Sequence, residues 1–442
     1  MCQSLALVEP SLRQAPGGVA ASAPLRFKRS EPVRFRLFKS ICKSIIPYAS
    51  GRMACFALPI LDSIFVKKGK INMVTMLDCI RRVPQRMEWM LNHLSEITRP
   101  MEEAFASRAA QWNEMVFIGC GSSNTAALTA RYPAQRLAGI RVTPVLPDEF
   151  IDQQAVRNPN ALYVFISHTG TSVLTRNALY EAKRLGYDTA TVSEAATTPI
   201  AQKVDAFWNQ GCGPEEYPMH TLGFSTAALS LVLMGLWVGE KNGSLTPERK
   251  NAFFDDMRKT ASQIGPVIDQ TLTWLEKERR QMLMSDCLVF TGSGALCGIA
   301  MESAVKMWET PQLITLAYEL EEGLHGANYG YTQRHCVIVL NDGGKDSQKA
   351  RSLAAFMKNE KHNGYLIGAH PLDEHDLSFD CSSDLNWLVF AAVTQTMSYH
   401  LAVSLGRDLF APHDNRVMYS YFDTHNEIGG KQHYNTAVPT LP

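Results

Sequence analysis

Glu302, Lys306 and Glu309 are spaced four and three residues apart, so on a helix they fall on one narrow stripe, while Ile299, Ala300, Val305 and Met307 occupy the apolar remainder. Such a stripe either faces water as an ordinary Glu-to-Lys pair or lines a cavity. Downstream, Glu319-Leu320-Glu321-Glu322-Gly323-Leu324-His325-Gly326 places an imidazole between glycines, behind a run of carboxylates. A buried carboxylate with a histidine nearby is equipment for moving protons next to a carbonyl. The carboxylate takes a C–H proton and the imidazole handles a ring oxygen.

A second set of residues is built for anions. Cys120, Gly121, Ser122 and Ser123 follow the apolar run Met115 to Ile118, and Ser167, His168, Thr169, Gly170, Thr171 and Ser172 follow Ala161 to Ile166. In open α/β sheets, ligands bind beyond the carboxyl ends of strands, where helix N-termini offer free N–H groups. Hydroxyls and amides without a lysine suit a sugar monophosphate better than a nucleoside triphosphate, and the chain has no Gly-x-x-x-x-Gly-Lys-Ser/Thr loop. Ser and Thr also serve as plain helix caps. Two such loops on comparable strands favour phosphate.

The elements that must position these residues come in two copies. Met115 to Ser123 is an apolar strand and a Gly/Ser turn leading into an Ala-rich helical run, Asn124 to Leu137. Cys287 to Gly294 repeats the pattern and leads into Ile299 to Trp308. Each reads as the strand, glycine turn, helix unit expected at the edge of a parallel sheet. Further apolar runs follow at α/β spacing: Ala161 to Ile166 and Asp188 to Val192, then Cys336 to Leu340 and Gly364 to Ile367. The economical fold is a doubly wound α/β domain occurring twice. The expected organisation is a leader 1–72, a helical segment 73–110, a first domain 111–245, a connecting helix 246–281, a second domain 282–420 and a tail 421–442. The apolar run Leu222 to Val238 is short and interrupted by Ser225, Thr226 and Ser230, which predicts a buried helix rather than a membrane span.

Composition narrows the function classes. The chain has 442 residues, 45% of them hydrophobic, and Lys plus Arg equal Asp plus Glu at 43 each. There is no overall basic bias toward nucleic acid or anionic membrane. Ten cysteines without a Cys-x-x-Cys pair argue against a disulfide framework or a zinc site and for a reducing, cytoplasmic compartment. Residues 1–72 hold 12 Lys and Arg against three acids, leaving 31 basic and 40 acidic residues elsewhere. The leader has no signal-peptide pattern. Lys67-Lys68-Gly69-Lys70 ahead of Met73 can be encoded by a ribosome-binding site, so the leader is expected to be non-native or a disordered basic segment, with Met73 as the start.

Together the two loops, the Glu302 to Glu309 helix and the Glu322-x-x-His325-Gly326 segment resemble the sugar isomerase (SIS) domain pair, found in the isomerase half of glucosamine-6-phosphate synthase and in fructosamine-6-phosphate deglycases. Ala300 to Gly326 can be laid without gaps on the family's Ala-Leu-Glu-Gly-Ala-Leu-Lys-Leu-Lys-Glu to Glu-Leu-Lys-His-Gly segment. The resemblance implies two tandem flavodoxin-like SIS domains, each three-layered α/β/α. It implies that Cys120, Gly121, Ser122, Ser123, Ser167, His168, Thr169 and Ser172 hold a sugar phosphate, together with Glu302 and Lys306. It gives Glu309 the proton shuttle between C1 and C2, and His325 a role in ring opening from a neighbouring subunit, which implies a homodimer. No metal or organic cofactor is implied.

Departures bear on the reaction. The synthase's terminal Leu-Ala-Lys corresponds to Pro412-His413-Asp414-Asn415-Arg416-Val417, without a lysine, leaving Lys431 in the tail as a spatial substitute to consider. Its Ser-Thr-Lys reads His220-Thr221-Leu222. Met1-Cys2 mimics the start of a glutaminase domain, but Gln3 to Leu7 lack that domain's Gly-Ile-Phe-Gly run. The leading expectation is a deglycase hydrolysing a ketosamine (fructosamine) 6-phosphate. An aldose/ketose or amino-sugar phosphate isomerase is the alternative, and a non-catalytic sugar-phosphate-binding regulator is the alternative from another class.

Overall fold

Two pairs of glycines repeat one backbone geometry. Gly121 adopts φ 57°, ψ −130° and Gly294 adopts φ 60°, ψ −125°, a region that side chains avoid. Two residues earlier, a Cβ on Gly119 or Gly292 would lie 2.8 Å from the Cβ of Ser123 or Leu296. The sequence Gly-x-Gly is thus dictated twice by the same tight strand-to-helix turn. These features come from a computed structural model, which describes residues 74–153, 157–409, 421, 424 and 425. The leader 1–72 with Met73, the segment 412–417, Lys431 and nearly all of the tail lie outside the described residues.

Three helices open the described chain: α1 (Met76–Arg81), α2 (Val83–Asn92) and α3 (Leu94–Phe105). Thr75 and Asp78 start α1 with a reciprocal capping box. Helix α3 buries the i, i+4, i+8 stripe Ile97, Met101 and Phe105. The first sheet follows through β1 (Glu114–Ile118), α4 (Ser122–Ala138), β2 (Arg141–Val145), a π-helical turn (Glu149–Gln153), β3 (Ala161–Ile166), α5 (Val173–Arg184), β4 (Asp188–Ser193), β5 (Ala206–Asn209) and α6 (Leu222–Asn242). The 38-residue helix α7 (Pro247–Met284), ~57 Å long at 1.5 Å per residue, starts at the Thr246 N-cap. Beyond it come β6 (Cys287–Gly292), α8 (Ala295–Glu309), β7 (Thr315–Glu319), α9 (Ala327–Gly330), β8 (His335–Asn341), α10 (Ser347–Lys361), β9 (Gly364–Gly368), β10 (Leu377–Ser378) and α11 (Trp387–Ser404).

All pairings are parallel, and the sheets run β2-β1-β3-β4-β5 and β10-β9-β8-β6-β7. Two doubly wound sheets in tandem are therefore the architecture. One expectation needs correction: β1 and β6 are interior strands, not edges. Each is flanked on one side by the next strand in sequence and on the other by the one after, so the winding direction reverses beside it. That reversal opens a crevice at the carboxyl ends of β1 and β3, the ends from which the two hydroxyl-rich loops emerge.

Helix α6 has the length and apolarity to cross a membrane, but every residue from Leu222 to Gly239 is buried inside the protein. Its hydropathy is that of a core helix. The largest apolar cluster spans α1–α4, α6–α8, α11 and the inner faces of both sheets. Within it α4 and α8 cross tightly, since a Cβ on Gly298 would lie 2.5 Å from the Thr129 backbone nitrogen.

Candidate active site

The close crossing of α4 and α8 joins the first turn of one repeat's helix to the polar stripe of the other's. Ser122 Oγ donates to Glu302 Oε1 at 3.1 Å and Thr125 Oγ1 donates to Glu302 Oε2 at 2.6 Å. Lys306 Nζ lies 3.3 Å from Glu302 Oε1, 2.6 Å from Glu309 Oε2 and 3.2 Å from Ser122 Oγ. The Lys306 side chain is 1% exposed and that of Glu309 is 34% exposed. Charge thus runs from a buried carboxylate through a buried ammonium to a carboxylate that solvent can reach. Of the two readings of the stripe, the water-facing one does not hold for Glu302 and Lys306, which are buried.

Burial raises the Glu302 carboxyl above its ordinary range, restrained by Lys306 and by the hydroxyls of Thr125 and Ser122. Burial would strip Lys306 of its proton, but the two carboxylates facing it outweigh burial and hold it above the usual lysine value. From α11, Ser398 Oγ donates to the Lys306 carbonyl at 2.8 Å and fixes that turn of α8.

The two hydroxyl-rich loops lie side by side. A Cβ on Gly119 would come 3.2 Å from the Ile166 carbonyl. Burial raises the pKa of the Cys120 thiol, opposed by Thr175, whose Oγ1 lies 3.0 Å from Ser172 Oγ. Thr169 and Thr171 pair at 2.8 Å, and Ser167 is buried with its N–H on Val192. Part of this edge is capped from the tail, where the Thr424 carbonyl accepts from Val173 N–H in the first turn of α5.

His168 turns along the sheet edge. Its Nδ1 is 3.2 Å from Gln210 Oε1 and its Nε2 3.2 Å from Glu194, while its ring lies 4.3 Å from that of His220. Burial and His220 lower its pKa, and Glu194 opposes them. His325 is placed elsewhere. It is 69% exposed on the loop after β7 with Nδ1 on the Glu321 carbonyl at 2.9 Å, and no hydrogen bond among the described residues joins it to Glu302, Lys306 or Glu309.

Three participants carried no sequence signal strong enough to be singled out. Thr125 follows Ser122 by one helical turn, which is the only hint of it. Tyr217 is buried, its phenol pushed up to about 12 by burial and by Glu309. Glu215 is fully buried and accepts from the backbone N–H groups of Thr221, Leu222 and Gly223 at 2.7–2.9 Å.

Comparison with known families places this edge among relatives. Residues 109–234 match the SIS domain. This stretch is an SIS domain. The SIS domain takes in both hydroxyl-rich loops and all five strands of the first sheet. Over 329 residues the chain is 24% identical to the isomerizing glutamine–fructose-6-phosphate aminotransferase of Symbiobacterium thermophilum, covering 72% of this chain and 52% of the relative. The corresponding protein of Pseudomonas syringae pv. tomato is 29% identical over 331 residues, covering 70% and 52%. The chain thus spans about half the length of the curated relatives it matches. In three dimensions it matches the C-terminal domain of glucosamine-fructose-6-phosphate aminotransferase from Francisella tularensis with a TM-score of 0.69 at 19% identity, over 76% of this chain and 97% of that one. The SIS domain and the second sheet together thus have the tandem fold of that domain.

Proposed function

We propose that this chain is an enzyme acting on a ketose-type sugar 6-phosphate, with Glu309 moving a proton between C1 and C2. The supporting observation is the triad Glu302–Lys306–Glu309. A buried ammonium 2.6 Å from a solvent-accessible carboxylate provides a base and, beside it, a cation at the position where an enediolate or enolamine develops charge. The phosphate is assigned to the loops containing Cys120 to Ser123 and Ser167 to Ser172, next to the Ser122 that already touches the triad.

The leading reaction is hydrolysis of a ketosamine 6-phosphate through an enolamine, giving a sugar phosphate and a free amine. Aldose/ketose isomerisation uses the same shuttle and is favoured by the isomerizing activity in the names of the sequence relatives. His325, exposed in the single chain, is assigned to the site of a second copy, so the working unit is a homodimer. The proposed location is the cytoplasm. Glu309→Gln should lower turnover by at least ~10² on whichever of a panel of fructosamine 6-phosphates, fructose 6-phosphate and glucosamine 6-phosphate the intact protein converts, while sugar-phosphate binding by calorimetry persists. Unchanged turnover in that variant would remove the shuttle from Glu309. Binding without turnover of any panel member would instead favour a non-catalytic sugar-phosphate sensor.

A further inference from the structure

Ser122 belongs to two sets of contacts at once. It opens α4 directly after Gly121, inside a loop assigned to the phosphate, and its hydroxyl reaches the polar stripe of α8. The turn itself does not call for a hydroxyl. In the second repeat the same strand-to-helix turn, with Gly294 at φ 60°, ψ −125°, is followed by Ala295. What distinguishes the first repeat is the side-chain oxygen, and the partners of that oxygen are Glu302 and Lys306.

The hydrogens on Lys306 fix the direction of these contacts. An ammonium has three N–H donors and no acceptor. Lys306 Nζ meets Glu309 Oε2 at 2.6 Å, Ser122 Oγ at 3.2 Å and Glu302 Oε1 at 3.3 Å. Ser122 Oγ therefore accepts from Lys306, and its single proton goes to Glu302 Oε1 at 3.1 Å. Thr125 donates to the other Glu302 oxygen. Burial opposes the charge on Glu302, and Lys306, Thr125 and Ser122 offset it. Ser398 Oγ holds the α8 backbone at the Lys306 carbonyl, so a rearrangement here falls on the end of the lysine side chain.

We propose that Ser122 is a positioning residue that couples the phosphate to the base: its hydroxyl turns from Glu302 to the bound phosphate, and Lys306 is thereby drawn off Glu309. This rests on the phosphosugar reading of the Glu309 site. A phosphate dianion offers only acceptors, so Ser122 binds it by giving it the one proton that Glu302 now receives. The Ser122 oxygen keeps accepting from Lys306 and, polarised by the anion, accepts more strongly. Glu302, buried and short of one donor, also leans on Lys306. Both pulls act on the same ammonium, and both lead away from the Glu309 oxygen it now occupies at 2.6 Å. That oxygen is then open to the proton on C1 or C2. The phosphate takes no part in the bond changes, yet its binding raises kcat instead of only holding the sugar.

The test divides the substrate. The panel member that the intact protein turns over is assayed in its dephosphorylated form, with and without inorganic phosphite as a separate dianion. Saturating phosphite should raise kcat/KM of the intact protein on the dephosphorylated sugar by at least ~10-fold, the scale of one hydrogen bond to a charged group. Ser122→Ala should cut that activation to within ~3-fold of none and lower kcat on the whole substrate by at least ~10-fold, and Ser122→Thr, which keeps the hydroxyl, should restore both. Ser122→Cys, close in size and a weak donor, replaces the alanine variant if that variant does not fold. Undiminished activation in Ser122→Ala, a raised KM with kcat unchanged, or no phosphite activation in an intact protein that converts the phosphorylated substrate overturns the coupling while Glu309 chemistry stands. If the intact protein turns over no phosphorylated member, the phosphosugar reading falls and this coupling falls with it.

Discussion

Replacing Lys306 by Met tests whether the triad is an electrostatic unit or a packing feature. Met fills nearly the same volume without polar atoms, so the main change is the loss of the ammonium 3.3 Å from Glu302 and 2.6 Å from Glu309. Glu302 is then a buried carboxylate left with only the Ser122 and Thr125 hydroxyls, and stranding one partner of a buried ion pair costs ~3–5 kcal/mol. In the intact protein burial already raises its carboxyl, and removing the cation raises it further. The folded state then holds a proton that the unfolded chain, near the ordinary value of 4.5, has released. A raised folded pKa means that stability is lost as pH rises through the carboxylate range. Urea unfolding should show a deficit of ~3–5 kcal/mol at pH 8 that shrinks to ~1–2 kcal/mol at pH 5. Adding Glu302→Gln should recover much of the pH 8 deficit, since it removes the stranded charge. An equal deficit at both pH values, or no recovery in the double variant, refutes the electrostatic account.

Two further perturbations address the frame around the triad. Gly298→Ala places a Cβ 2.5 Å from the Thr129 backbone nitrogen; forcing α4 and α8 apart should cost ~1–3 kcal/mol in unfolding free energy and lower kcat through the Ser122–Lys306 contact, and a variant of unchanged stability would show that the crossing is not tight. Arg86 stacks over Trp89 at 4.4 Å and its Nε donates to the Gly211 carbonyl at 2.6 Å. Arg86→Ala should cost ~1.5–3 kcal/mol and increase amide exchange across residues 211–221, and unchanged exchange there would show that α2 does not brace the segment between β5 and α6.

What was legible in the sequence follows from what is local. β1, β3, β6 and β8 are covered on both faces and read as continuous apolar runs. β2 and β7 are edge strands; Arg141, Thr143 and Pro144 break the first pattern, and half-exposed Leu316 lies in the second, so neither stood out. The triad was legible because its spacing is helical, but its contact with Ser122 spans 180 residues for Glu302 and depends on the Gly298–Thr129 crossing, which no local pattern encodes. The pairing of Glu215 with His220 was hidden for a subtler reason. Thr221 occupies the N-cap position of α6, where a hydroxyl ordinarily accepts from the first turn, yet its Oγ1 instead donates to Glu215 at 3.1 Å. Glu215, seven residues ahead of the helix, supplies the cap carboxylate. Because His220 and those N–H groups hold it ionised away from water, the same carboxylate that caps α6 also fixes the tautomer of His220, and the start of the helix and the orientation of that ring depend on one residue.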